Sequence, residues 1–244
     1  KFKKILQSTN NIVLSSKDCK KDLRKFYGFF NKRIYVLNFR AFLNKKWLKK
    51  NPDFIIEKYN LPEKFFLISN QFWRHKNHLL VFKALHYLKC EKNIYPNIVF
   101  TGKLFNRDEK FANLIIENIY KYKINDQIFL LDVIPKENQF LLMRKCIAII
   151  QPSLFEGWST IVEECRSIGK KVILSDLKVH KEQNYCHSIF FKRNSFKDLA
   201  KKIYQSLDHL EPGPDLIMED LFAKENKVLM REFAEQFIEL SVLN

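Results

Sequence analysis

No apolar run among the 244 residues is long enough to cross a bilayer, which takes about 20 residues. The basic opening stretch has no apolar segment followed by small residues, so it does not read as a signal peptide. Cysteine is sparse: five residues, at positions 19, 90, 146, 165 and 186, scattered and without a C-x-x-C. Four of them fall inside apolar or helical patterns, so a reduced, cytoplasmic chain is expected rather than a disulfide framework, and no structural zinc. Internal repeats, low-complexity tracts and long polar stretches are missing too, which leaves no segment to read as disordered. No nucleic-acid-binding motif and no regular set of aromatics in a basic stripe occurs, so nucleic acid is not an expected partner.

What is present is apolar and basic. A hydrophobic content of 46%, with 14% aromatic, is ample for a packed core, and the length allows one large domain or one and a half ordinary ones. The formal charge of +16 is local. Residues 1–50 hold 15 Lys and Arg against only Asp18 and Asp22, whereas the other 194 residues are nearly balanced. The first fifth of the chain therefore presents a surface suited to anionic lipid, and a peripheral place at the inner face of the membrane is one expectation.

From about residue 65 the chain alternates short apolar runs with amphipathic ones. Strands are predicted at Phe65–Ser69, Asn97–Thr101, Gln127–Leu131, Cys146–Gln151, Lys171–Ser175 and Ser188–Lys192. Helices are predicted at His78–Lys89, Glu109–Tyr122, Lys136–Lys145, Trp158–Ile168 and Ser195–Leu207. Continuously apolar strands alternating with helices predict an α/β fold, a Rossmann-like parallel sheet with helices on both faces. Residues 51–210 form this domain, preceded by the turn signal Asn51-Pro52-Asp53, and 211–244 a C-terminal helical segment. Residues 1–50 read as one more strand–helix–strand unit, Asn11–Ser15, Lys17–Tyr27 and Arg33–Asn38. One such unit cannot bury its own apolar faces, so it is expected to be a remnant of a preceding α/β domain or an appendage to the main one.

The segment PSLFEGWSTIVEE, Pro152 to Glu164, follows an apolar strand and opens a helix. In open α/β sheets ligands collect at that end of the strands, and the first N–H groups of a helix favour an anion. Gly157 lets a ligand approach the backbone, and Ser159 and Thr160 add hydroxyl donors, so the arrangement predicts a phosphate site. Helical spacing puts Ile161 and Cys165 toward the sheet and Glu164 beside the crevice, with Glu163 projecting about 100° away, into solvent. Glu156 precedes the helix, where a carboxylate stabilises it by roughly 0.3–1 kcal/mol even without a ligand. Carboxylates cannot bind phosphate, but they accept hydrogen bonds from sugar hydroxyls.

Glu156 and Glu164 make an E-x7-E pair that resembles the donor-site signature of family-4 retaining glycosyltransferases of the GT-B fold. SNQFWRHKNH (Ser69–His78) looks like the first strand–loop–helix of their C-terminal domain, and SDLKVHKEQ (Ser175–Gln183) like the loop that closes the site. Asn11–Phe39 looks like the end of their N-terminal domain. The resemblance implies that Glu164 binds the ribose of a UDP- or GDP-linked sugar and Glu156 holds the transferred sugar. It implies further that backbone N–H groups around Gly157, Trp158 and Ser159, with Thr160, meet the diphosphate. Lys76 matches the phosphate-binding lysine, and Val133 and Ile134 the loop whose backbone reads the base. Gly102, closing the strand Asn97–Thr101, is a further donor-site candidate. Where relatives have an arginine five residues before the lysine this sequence has Gln71, and Arg74 is expected to substitute for it. Such transfer needs no cofactor and no metal. His75, His78 and His180 could ligate a metal, but capping and packing are the commoner roles for such positions, and no metal site is expected.

Relatives run well beyond this length, so the chain is expected to be a piece of a longer enzyme or one half of a split one. The acceptor, a glycan or a lipid-linked molecule, is chosen elsewhere. Three other readings fit parts of the sequence: a non-catalytic nucleotide-sugar-binding or scaffold module, a related sugar-nucleotide epimerase, and a basic membrane- or nucleic-acid-binding protein.

Overall fold

The alternation of apolar and amphipathic runs builds an α/β structure in the computed structural model, which describes residues 2–28, 32–105 and 108–242. Helix α1 (Phe2–Ser8) leads into β1 (Asn11–Leu14), α2 (Lys17–Tyr27) and β2 (Arg33–Val36). Two short helices, α3 (Lys45–Leu48) and α4 (Phe54–Tyr59), come next. The main domain then runs β3 (Phe66–Ser69), α5 (His78–Lys92), β4 (Ile98–Thr101), α6 (Glu109–Lys121), β5 (Ile128–Leu130) and α7 (Lys136–Lys145). Its second half is β6 (Ile149–Gln151), α8 (Thr160–Ser167), β7 (Val172–Ser175), α9 (Lys178–Glu182), β8 (Ser188–Phe191) and α10 (Phe196–His209). The long α11 (Leu216–Ser241) closes the described chain, and the last two residues of the expected 211–244 segment lie outside the described residues.

Strands β3 to β8 pair in parallel, in the order β5-β4-β3-β6-β7-β8. That is the doubly-wound order, with the chain reversing direction across the sheet between β3 and β6. Because side chains alternate along a strand, each strand feeds both faces. Phe66 and Ile68, with Ile98, Phe100, Ile150 and Ile173, pack under α5, α6 and α10. Phe65, Leu67, Val99, Ile149, Val172 and Leu174 pack under α7, α8 and Phe222 of α11. Burial on both faces is why these strands read as unbroken apolar runs.

Strand β6 starts at Ile149 rather than at Cys146, since the Cys146 N–H still bonds the Leu142 carbonyl of α7 at 2.9 Å. Helix α4 was not legible from periodicity; Ile55, fully buried, anchors it against α7. Helix α11 is held by a buried ion pair from Arg144 of α7, whose Nε and second guanidinium nitrogen donate to Glu219 at 2.7 and 2.9 Å.

The first strand–helix–strand unit forms its own two-stranded parallel sheet, β1 with β2. It buries little of itself, with Val13 half exposed, and it docks onto the main domain through α2 against α9.

Candidate donor-binding site

Strand β6 ends at Gln151, and the chain turns through Pro152–Ser159 before α8 begins. A second loop, Asn70–Asn77, leaves the neighbouring β3 and meets it. The Leu154 N–H donates to the His75 carbonyl at 2.7 Å, and the Asn77 side-chain amide donates to the Pro152 carbonyl at 3.1 Å. Asn77 adopts the left-handed conformation, φ 61°, after the turn Arg74–Lys76. These clamps carry Lys76 and Glu156 together: Lys76 Nζ donates to Glu156 Oε1 at 2.6 Å, and both side chains are mostly buried. Gln151 Nε2 and Ser153 Oγ donate to the same oxygen, each at 2.7 Å.

Helix α8 starts at Thr160, two residues later than its pattern predicts, with Ser159 as an N-cap whose side chain makes no capping bond. The Ser159 N–H is already accepted by Gln183 Oε1 at 2.8 Å. The N–H groups of Thr160, Ile161 and Val162 make up the first turn, the part of a helix that attracts an anion. Trp158 is buried among Phe39, Leu177 and Val179, with its indole N–H on the Phe39 carbonyl at 3.1 Å. Gly157 presents its carbonyl to Cys19 Sγ of α2 at 3.4 Å. Glu164, in the first turns of α8, pairs with Lys136 Nζ at the start of α7.

Two expected placements come out differently. Glu163 is fully buried, not solvated: Arg40 donates to it at 3.1 Å, Gln183 Nε2 at 3.1 Å, and Arg166 stands 3.7 Å away. The helical wheel was right about its direction, but that side of α8 is covered by Phe39 and Arg40 of the N-terminal unit and by Gln183. Arg74 turns from Lys76 to Asp108, at 2.8 and 3.3 Å, with its guanidinium over the Phe111 ring. This pair holds the Asp108 carboxyl below its usual range. Gln71, at the position of the missing arginine, accepts from the Lys103 N–H at 3.1 Å.

Gly102, Val133 and Ile134 come together with Ser69, Asn70 and Gln139 around a pocket of about 200 Å3 at the ends of β3, β4 and β5. On the other side of Glu156 a cavity of about 310 Å3 is lined by Asp18 and Asp22 of α2, Phe155, Lys178 and Arg193. The segment expected as a closing loop contains the short α9, whose Glu182 carboxylate accepts from the Lys17 and Asp18 N–H groups at 2.8 and 3.3 Å. Acid at that point complements the first turn of α2.

The histidines are structural in position. His78 is fully buried, stacked on Phe72 with centroids 4.4 Å apart, and burial lowers its pKa to about 3. His180 is buried with Nδ1 on the Ser175 carbonyl at 2.9 Å, and burial lowers its pKa as well. Half-exposed His75 is lowered by partial burial and by the neighbouring Lys76. Among the described residues no group of three His, Cys, Asp or Glu side chains is disposed to hold a metal ion. No helix among them is long and apolar enough to cross a membrane. Sequence reasoning missed Gln151, Ser153, Gln183 and Lys136; polar residues closing an apolar strand, as Gln151 does, were the one available signal.

The fold has counterparts in solved structures. A glycosyltransferase from Rickettsia africae ESF-5 superposes on all of this chain and 68% of its own, at 23% identity and TM-score 0.75. Sucrose-phosphate synthase from Thermosynechococcus elongatus covers 98% of this chain and 59% of its own, at 16% identity and TM-score 0.76. HepE of Anabaena, in complex with UDP-glucose, covers 95% and 64%, at 12% identity and TM-score 0.76. The chain thus spans roughly two thirds of the length of these proteins, and its fold is that of GT-B glycosyltransferases. No curated protein sequence matches it at a significant level. The sequence profile for "Glycosyl transferases group 1" matches residues 49–211, the whole of the main sheet and its helices, and by that match the chain belongs to the group 1 glycosyl transferase family.

Proposed function

We propose that this chain supplies the donor site of a retaining glycosyltransferase of family-4 type, transferring a sugar from a UDP- or GDP-linked donor to a glycan or lipid-linked acceptor. The observation that carries the reading is the meeting of Lys76, Glu156 and the first turn of α8 at the point where the strand order reverses. In this reading Glu164 accepts from the ribose hydroxyls, displacing Lys136, and Val133 and Ile134 offer their backbone to the base. The diphosphate lies on the N–H groups of α8, while Glu156 faces the sugar.

Lys76 has three donors, and one is committed to Glu156. The others, without a partner among the described residues, can meet the leaving diphosphate, where negative charge builds as the glycosidic bond breaks. The acceptor's proton goes to the leaving phosphate, and in this reading Lys76 and the helix N–H groups offset the diphosphate's charge without a metal or cofactor. Bound UDP and UDP-glucose in the HepE structures support a uridine donor. The basic first 50 residues suit an anionic membrane surface at the cytoplasmic face.

Isothermal calorimetry with UDP-glucose and GDP-mannose tests the proposal. Binding of one of them is expected, with Glu164→Ala weakening it about tenfold or more, the loss of a hydrogen bond to a charged acceptor. Folded protein that binds neither, nor UDP nor GDP, overturns it.

A further inference from the structure

Glu156 is held asymmetrically. Lys76, Gln151 and Ser153 all donate to Oε1, and among the described residues none of the hydrogen bonds goes to Oε2. Gln151 is the central donor. It is the last residue of β6, 1% exposed, and its backbone is in register with Leu174 of β7.

Behind Gln151 lie the half-buried amide of Asn70 and the buried imidazole of His78. Gln151 Oε1 accepts from Asn70 Nδ2 at 3.0 Å, and Asn70 Oδ1 lies 2.8 Å from His78 Nε2. An ionised carboxylate only accepts, and that fixes every orientation in turn. Gln151 must offer its NH2 to Glu156, which turns its carbonyl to Asn70. Asn70 must then offer its NH2 to Gln151, which turns its own carbonyl to His78. His78 must therefore carry its proton on Nε2, and its Nδ1, buried and without a partner among the described residues, is the bare nitrogen. Each donor in the chain points at Glu156, and bonds aligned in this way polarise one another.

We propose that Gln151 is a positioning residue. Fed by Asn70 and His78, it saturates Oε1 of Glu156 and turns Oε2 into the 310 Å3 cavity, where Oε2 receives a hydroxyl of the donor's sugar. The inference rests on the donor-site reading above and adds which oxygen meets the sugar and what aims it.

The test uses calorimetry on the 244-residue chain with UDP-glucose against UDP, and GDP-mannose against GDP. Gln151→Leu removes the donor; Gln151→Glu keeps the shape and a partner for Asn70 but sets a second carboxylate against Glu156. Both are expected to shift the ratio of sugar-nucleotide to nucleotide affinity about tenfold, with affinity for the bare nucleotide changed less than twofold. His78→Gln, which keeps a donor at the head of the chain, should hold the wild-type ratio, and His78→Leu should not. A merely structural role for Gln151 lowers both affinities together and leaves the ratio where it was, which overturns the inference alone. Wild-type protein that binds none of the four probes overturns the donor-site reading, and this inference with it. Should Gln151→Leu fail to fold, Gln151→Glu decides.

Discussion

The crevice at the carboxyl ends of the strands has two unlike sides. Beyond β3, β4 and β5 the walls are uncharged: Ser69, Asn70, Thr101, Gly102, Val133, Ile134 and Gln139. Beyond β6, β7 and β8 they are charged: Glu156, Lys178 and Arg193, faced by Asp18 and Asp22 from the N-terminal unit. The boundary is the reversal of strand order between β3 and β6. A nucleotide sugar has the same division, a stacking base at one end and a polyol on a diphosphate at the other. The two sides are also stabilised differently. The neutral side rests on close backbone approach, whereas the charged side is tied to residues 15–40 by the Arg40–Glu163 ion pair and by hydrogen bonds.

Those ties set the largest expected effect. Glu163 joins Arg40 of the N-terminal segment to Arg166 and Gln183 of the main domain, with no exposed surface. Glu163→Ala leaves two arginines facing a vacated site, and breaking a buried pair from one end costs about 3–5 kcal/mol. Urea unfolding should show that loss. A change below about 1 kcal/mol would mean that Arg40 reaches water and the N-terminal unit is only loosely docked.

On the neutral side the corresponding perturbation is steric. Gly102 has φ +123°, and a Cβ there would lie 2.3 Å from the Asn70 carbonyl oxygen. Neither the Asn70–Gln71 backbone nor the positive φ can yield cheaply, so Gly102→Ala should destabilise by about 2–4 kcal/mol. It should also narrow the pocket that Val133 and Ile134 line, so nucleotide affinity is expected to fall even at temperatures where the variant stays folded. Retained affinity with lowered stability would separate this pocket from the base.

The six-stranded sheet was legible because each strand is buried on both faces and each long helix on one, so the pattern repeats regardless of detail. The places of Glu156 and Gly102 just beyond strand ends were legible from the strand pattern, whereas Lys76 was picked out by the resemblance of Ser69–His78 to a known loop. Glu163 was not, because its burial depends on Arg40, 123 residues earlier, and no local period carries that. Helix α4 was hidden for a similar reason: six residues are too few to display a period, and of them Ile55 is the one fully buried, with Ile56 and Tyr59 packed beside it. Gln151 was read as the end of an apolar strand, and only its partners Asn70 and Glu156, on two different loops, show what it does. Arg74 was expected to stand in for the arginine that Gln71 replaces, but within the turn Arg74–Lys76 its guanidinium is taken by Asp108.

His78 links the two sides, stacked on Phe72 beneath the neutral pocket and hydrogen-bonded toward Glu156 through Asn70 and Gln151. Burial depresses its pKa to about 3, whereas an unfolded imidazole titrates near 6.5. At pH 7 the native state holds it neutral and the unfolded chain mostly so, and it contributes little pH dependence there. Below about 6.5 the unfolded chain takes up a proton that the native state refuses until about 3, so stability falls with acidification across that window. The slope approaches about 1.4 kcal/mol per pH unit, or roughly 2 kcal/mol by pH 5. His180 adds a change of the same sign, since its pKa is lowered too, so the comparison needs a variant. His78→Gln keeps the donor and removes the titration, and urea unfolding at pH 7 and pH 5 should show it losing about 2 kcal/mol less than wild type. Equal losses in the two proteins would mean that His78 is protonated in the native state. Its Nδ1 would then have found an acceptor, and the direction of the relay to Glu156 would no longer be fixed by the carboxylate alone.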